Sequence, residues 1–358
     1  MEENTITTYE RLERQRILPS SEIPPHEFLF QWHGVPCFAR GELVAMTGKA
    51  KSGKTYLNSI LMAAAGKSYK DLAPVSKDSF LGLGRIREEP LKVLWMDTEQ
   101  SEDSTHEILR DRIGAMIGEE PNPEQFFVYN LRQVNWQERE PLVEAAILLR
   151  LPDLVIFDGI RDVVGDINDY GEAQEIIGRM LKIASCTQAC IVCVLHQNKA
   201  VEDKTLRGAL GTELQNKSFE TYECSKDPET RIFTVRQVAT RKFDLTNKQQ
   251  FILSPEGLPV ICHTPEKEEN SETSHKNGDG FNPDYVGPDG KIDKLRLFAY
   301  LLPLGKRMTM AQLRAAIMNV AHIRSFNFAF RIIEEARLQG IIRQIEMENT
   351  AYYEAFSS

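Results

Sequence analysis

The chain has 358 residues, 42% of them apolar, and a formal charge of −9. That length accommodates one sizeable α/β domain and a small second one. The acidic balance excludes wholesale electrostatic wrapping of nucleic acid, no apolar run approaches the roughly 20 residues of a membrane helix, and six cysteines are too few for a disulfide scaffold of this size.

Residues 1–39 read as a polar arm and a lead-in strand. Glu2, Glu3, Glu10 and Arg11 lack the basic-then-apolar order of a signal peptide, so a cytoplasmic protein with no membrane partner is expected. Phe28-Leu29-Phe30 and Trp32 either cover a sheet edge as a packed strand or stack on a nucleotide base.

The strand-like run Leu43-Val44-Ala45-Met46 then leads into Gly48-Lys49-Ala50-Lys51-Ser52-Gly53-Lys54-Thr55, and a helix-like stretch from Tyr56 to Ala65 follows. This pattern reads as a phosphate-binding loop. Gly48 and Gly53 let the backbone turn without a Cβ clash, so that successive N–H groups and a helix N-terminus surround a triphosphate. Lys54 neutralises β/γ-phosphate charge and the Thr55 hydroxyl ligates Mg²⁺, which makes ATP and Mg²⁺ the expected cofactors.

Gly66 to Pro90 reads as variable loop, marked by Gly82 and Gly84. Leu91 to Met96 forms a second strand ending in Asp97-Thr98-Glu99, at the rim where open α/β sheets bind ligands. Glu99 is placed there to polarise a water, or else Asp97 or Glu99 caps the helix starting near Ser101. A helix over 105–117, a strand over 126–130 and a helix over about 140–149 follow. The run Leu154-Val155-Ile156-Phe157-Asp158 is a strand buried on both faces, and its terminal Asp158 can hold the water shell of Mg²⁺.

After a helix over 170–184 comes the buried strand Ile191 to Leu195, ending in His196-Gln197-Asn198-Lys199, a polar strand tip able to sense a γ-phosphate. Cys186-x₃-Cys190-x₂-Cys193 imitates iron–sulfur spacing, yet Cys190 and Cys193 flank or occupy that strand, where thiols act as small hydrophobes. Lys204 to Thr212 reads as a basic loop. It is either solvated or faces a channel, where Lys199, Lys204, Arg207 and Lys217 would contact a single-stranded nucleic-acid backbone.

Three strands of antiparallel style, 218–224, 231–238 and 249–253, close a domain over 40–263. Thr240-Arg241-Lys242 lies between the last two, either as solvated hairpin charge or reaching a neighbouring subunit's nucleotide. Residues 264–290 are rich in Glu, Asn, Ser, Gly and Pro and read as a disordered acidic linker. From Lys291 on, ten Lys and Arg meet six acids, a local +4 that leaves −13 on the remainder. Three helices and a hairpin over 291–358 have the plan of a winged helix, with Arg324, Arg331 and Arg337 along its third helix as possible duplex-DNA contacts. Glu334 and Glu335 on the same helix suit a protein-interaction module instead.

The order of phosphate loop, strand-end Glu99, Asp158, His196-Gln197 and Arg241-Lys242 resembles the RecA-like ATPases, and among them the RepA-type hexameric helicases and KaiC-type ATPases, over about residues 30–262. The resemblance implies an α/β RecA-like P-loop core with a mostly parallel twisted sheet. It also implies a homo-oligomer, a hexamer in the helicase case, with ATP between subunits. By the same analogy Glu99 orients water, Gln197 couples the γ-phosphate to the channel loop, and Arg241 or Lys242 acts in trans. The appended winged helix departs from the accessory ATPases of plasmids and mobile elements that the chain otherwise resembles. Two functions compete: a DNA-dependent replicative helicase, and an ATP-driven switch that assembles on DNA or a recombination or initiation partner without translocating. A small-molecule kinase would share the phosphate loop but needs an acceptor lid that the sequence lacks.

Overall fold

The computed structural model describes residues 8–72, 77–197, 206–262, 282–287, 292–303, 305–323, 326–347 and 350–355. They fall into two units, Met1–Pro265 and Glu266–Ser358. Among the described residues no helix is long and apolar enough to cross a membrane.

The first unit is organised by alternation along its strands. In chain order its strands are β1 (Phe28–Trp32), β2 (Val35–Ala39), β3 (Leu43–Gly48), β4 (Leu83–Arg85), β5 (Val93–Asp97), β6 (Phe126–Asn130), β7 (Leu154–Asp158), β8 (Cys190–His196), β9 (Glu220–Lys226), β10 (Phe233–Thr240), β11 (Gln249–Leu253) and β12 (Pro259–Ile261). Nine of them form one sheet, ordered β12-β11-β10-β9-β3-β8-β7-β5-β6. From β9 through β6 all neighbours are parallel, whereas β10, β11 and β12 continue antiparallel.

Because successive strand residues point to opposite faces, the apolar runs feed two cores. Val44, Met46, Trp95, Ile156 and Val192 join one; Leu43, Ala45, Met96, Phe157 and Cys193 join the other. The first face is covered by α2 (Lys54–Gly66), by α3, and by the small sheet β2-β1-β4. Helix α3 starts at Glu102–Glu107, passes a π-helical turn at Ile108–Ile113 and ends with Gly114–Ile117. The second face carries α4 (Trp136–Arg150), α5 (Tyr170–Thr187) and α6 (Gly208–Lys217). Residues 8–27, which include the short helix α1 (Thr8–Glu13), are exposed throughout.

Several expectations are corrected. The three strands expected over 218–224, 231–238 and 249–253 are β9, β10 and β11, antiparallel to one another as expected, and β9 also pairs parallel with β3, which joins them to the parallel sheet. The stretch around Gly82 and Gly84 contains β4, paired with β1, and β1 belongs to its own sheet over one face rather than to the edge of the large one. Residues 208–212, read as loop, open α6. Cys190 and Cys193 feed opposite cores and Cys186 is exposed on α5, so the three thiols do not converge.

The second unit has its own core. It contains α7 (Lys294–Leu301), β13 (Met308–Thr309), α8 (Met310–Val320), α9 (Phe326–Leu338) and the hairpin β14 (Ile342–Met347) with β15 (Thr350–Ala355), in a three-stranded order β13-β15-β14. Thr309 and Gln312 form a reciprocal capping box that starts α8. Residues 282–287, assigned by composition to the linker, belong here: the Asn282 side chain donates to the Val320 carbonyl (2.9 Å), and Tyr285 and Val286 pack on the unit's core. The linker residues 264–281 and 288–290 lie outside the described residues.

Candidate active site

The sheet order decides which side chains meet. Strand β8 lies between β3 and β7, so its tip separates the phosphate loop from Asp158. In register, Gly48 pairs with His196 on one side and with Cys224 on the other, while Asp158 is level with Asp97 and Val194.

The loop is held by glycines that nothing else could replace. At Gly48 (φ 153°) a Cβ would lie 2.3 Å from the Cys224 carbonyl oxygen and 2.4 Å from Ser52 Oγ. At Gly53 (φ 102°) it would meet the Phe233 ring at 2.7 Å. Lys49, Ala50 and Lys51 are exposed, Ser52 is buried, and Thr55 is half-buried in the first turn of α2. All three ammonium donors of Lys54 are spent within the site: on the carbonyls of Gly48 (3.0 Å) and Lys49 (2.9 Å) and on His196 Nδ1 (3.1 Å). Burial lowers its pKa from the ordinary lysine value, opposed by Cys224, Glu99 and Asp158.

Because Lys54 must donate to Nδ1, the proton of a neutral His196 sits on Nε2, which faces Glu99 Oε1 at 3.2 Å. Lys54, His196 and Glu99 therefore form one hydrogen-bonded chain. The bond from His196 holds the Glu99 carboxyl below the usual range against the opposing effect of burial.

At the end of β5 the polar side chains divide between local hydrogen bonds and the site. Asp97 is fully buried and accepts from the Glu99 and Gln100 N–H groups (3.1 Å each), the Gln100 amide and the Thr105 hydroxyl (2.7 Å). Ser101 caps α3 by accepting from the Ser104 N–H. Glu99, 37% exposed, is left facing the site.

Asp158 lies buried between these groups, and its carboxyl is pushed up to about 7 by desolvation first and then by Glu99 and Asp97. A buried acid beside two other carboxylates calls for a cation. In addition, Asn58 Oδ1 and Ser52 Oγ have no hydrogen-bond partner among the described residues. The donor set fits Mg²⁺, which Asp158 and the Thr55 hydroxyl would hold, and whose charge would offset the acids and the phosphates.

Gln197 turns elsewhere: its side chain donates to Glu223 (2.7 Å), which is also paired with Arg236. Its backbone forms an antiparallel bridge to Leu206, and the Arg207 N–H donates to the His196 carbonyl (3.3 Å), so residues 196–197 and 206–207 are joined at the strand tip. Arg207 is exposed; Lys199 and Lys204 lie outside the described residues, as does the side chain of Arg331. The Arg241 guanidinium donates to the carbonyls of Asn216 (3.0 Å) and Ser218 (3.2 Å), and Lys242 lies over the rings of Phe28 and Phe243.

The structure thus unites Lys54, Thr55, Glu99 and Asp158 and adds His196 and Asn58. The polar strand tip signalled the first. The second carried only the weak signal of a polar residue four positions past Lys54 in an apolar helix.

Residues 20–202 match a family model described as an AAA domain. No curated protein matches the chain. Among solved structures, one titled "Crystal structure of the RadB recombinase" is similar at 17% sequence identity and a TM-score of 0.44, covering 63% of this chain and 94% of that one.

Proposed function

The chain belongs to the AAA domain family, a P-loop ATPase family, and from that premise we propose that it hydrolyses ATP as a homo-oligomer acting on DNA, as a helicase or single-strand translocase of the RepA type. The observation that carries this reading is the hydrogen-bonded chain from Lys54 through His196 to Glu99, anchored on a strand tip whose backbone is also joined to Leu206 and Arg207. A triphosphate must take donors from Lys54 and so frees His196, which sits at the root of the segment bearing Lys199 and Lys204. Glu99, released in turn, is the base that orients the attacking water. Lys199, Lys204 and Arg207 meet the strand's phosphates, and a hexameric ring is the assembly that closes a channel around them.

The test is ATP turnover with and without single-stranded DNA, together with strand displacement. Glu99→Gln should lower kcat by about 100-fold or more while nucleotide binding persists, and Lys54→Ala should abolish hydrolysis. Turnover by Lys54→Ala at the parent's rate would overturn the assignment, and indifference to single-stranded DNA would remove the helicase.

A second reading, a switch that assembles without translocating, is favoured by the second unit. There Arg337 pairs with Glu334, Lys294 with Glu335, and both Arg307 and Arg343 with Glu354, so much of its positive charge is met internally. On this reading the unit, winged-helix in plan, docks a protein or a duplex, and nucleotide changes assembly rather than movement. Sizing the protein with an ATP analogue, with and without single-stranded DNA, separates the two.

A further inference from the structure

Helix α2 does more than present Thr55. Three residues beyond it, Asn58 is fully buried, and its side-chain nitrogen donates to Asp158 Oδ2 at 3.1 Å. The nitrogen is the only donor of that amide, so it faces the accepting carboxylate oxygen and leaves the amide oxygen pointing the other way. That oxygen has no hydrogen-bond partner among the described residues. A buried carbonyl left unpaired costs free energy, which a hydrogen donated by a bound water would offset.

We infer that Asn58 is a positioning residue for the divalent cation, its amide nitrogen orienting Asp158 toward the metal and its amide oxygen set to accept a hydrogen from metal-bound water. The inference rests on the ATPase reading above. Residues three apart on a helix share a face, so one turn of α2 delivers both the hydroxyl that ligates the metal and the amide that aligns the other protein ligand. Partners of this kind in an outer shell change metal affinity by roughly 10–100-fold. An ordinary polar contact tying α2 to β7 would change stability alone.

The experiment measures Mn²⁺ binding in the presence of ADP by the electron paramagnetic resonance of free Mn²⁺, on the full chain and on Asn58→Leu and Asn58→Ala. Fluorescent ADP binding in EDTA runs in parallel. Both variants should bind Mn²⁺ about tenfold or more weakly, with metal-free ADP affinity within about twofold of the parent. Equal Mn²⁺ affinity in either folded variant overturns the inference. On the parent itself, the Asn58 side-chain amide resonance should broaden away with Mn²⁺ and ADP but not with ADP alone, and its persistence overturns the inference even if neither variant folds. Failure of the parent to bind Mn²⁺ with ADP would strike the underlying nucleotide site instead.

Discussion

Glu220 lies at the start of β9, level with Val44 and away from the phosphate loop. One of its oxygens accepts from the Phe38 N–H and the Tyr222 hydroxyl, both at 2.9 Å, and the other has no partner among the described residues. Burial pushes its pKa up to about 7, although both hydrogen bonds act in the opposite direction. The folded state therefore holds this proton more tightly than the unfolded chain, so stability falls as pH rises from the unfolded value near 4.5 to about 7. At about 1.4 kcal/mol per pKa unit the loss is ~3 kcal/mol. Glu220→Gln cannot ionise. Its melting temperature relative to the parent should climb by roughly 5–10 °C between pH 5 and pH 8, and a difference that stays flat across that range would show that Glu220 does not titrate there. The active site poses the same one-residue question in its sequence. Asp97 is the last residue of β5 and Glu99 lies in the turn after it, while His196 ends β8 with Gln197 next along, so where each side chain faces is set by how the strand ends. Which member of each pair faces the phosphate loop depends on the phase at the strand's last residue, and composition does not record that.

At the level of elements, the legible parts were those whose burial repeats. The runs forming β3, β5, β7 and β8 are apolar on both faces because helices cover both, and they read directly as parallel strands. Strands β4 and β12, three residues each, are too short for a period to emerge. Helix α6 was hidden by its glycines. Gly211 suits a helix because a Cβ there would lie 2.5 Å from the Leu206 backbone, so it serves close packing rather than chain freedom. The last turn of α6 also explains where Arg241 goes. Its guanidinium takes the carbonyls of Asn216 and Ser218, which the helix end leaves without intrahelical partners. Arg241→Ala should then lower stability by about 1–2 kcal/mol, seen as a lower melting temperature with turnover per site preserved. Lys242 would in that case become the residue to test for action in trans. If turnover collapses while the melting temperature holds, Arg241 leaves its helix to serve a neighbouring nucleotide.

On the scale of the whole chain, every residue described at the phosphate site lies between Gly48 and Arg236, inside the first unit and closed by its two cores. The second unit buries Leu297, Phe298, Leu313, Ile317, Ile333 and Tyr353 among themselves. Two separate cores predict two separable foldings. A fragment ending at Pro265 should melt cooperatively and bind nucleotide within about twofold of the full chain's affinity, since every contact described at the site is made by residues of the first unit; a tenfold loss, about 1.4 kcal/mol, would mean that residues beyond 265 take part in the site. The charge division gives the companion expectation. Residues 291–358 carry +4 and the rest −13, so whatever duplex affinity the protein has should follow the C-terminal fragment. It should weaken with salt by a slope matching only a few phosphate contacts, because Arg296, Arg307, Arg337 and Arg343 already face carboxylates. Single-strand affinity, by contrast, should stay with the first unit and disappear when Lys199, Lys204 and Arg207 are replaced together. Binding assays on the two fragments across a salt series measure both slopes, and single-strand binding that followed the C-terminal fragment would detach the segment at the tip of β8 from any nucleic acid.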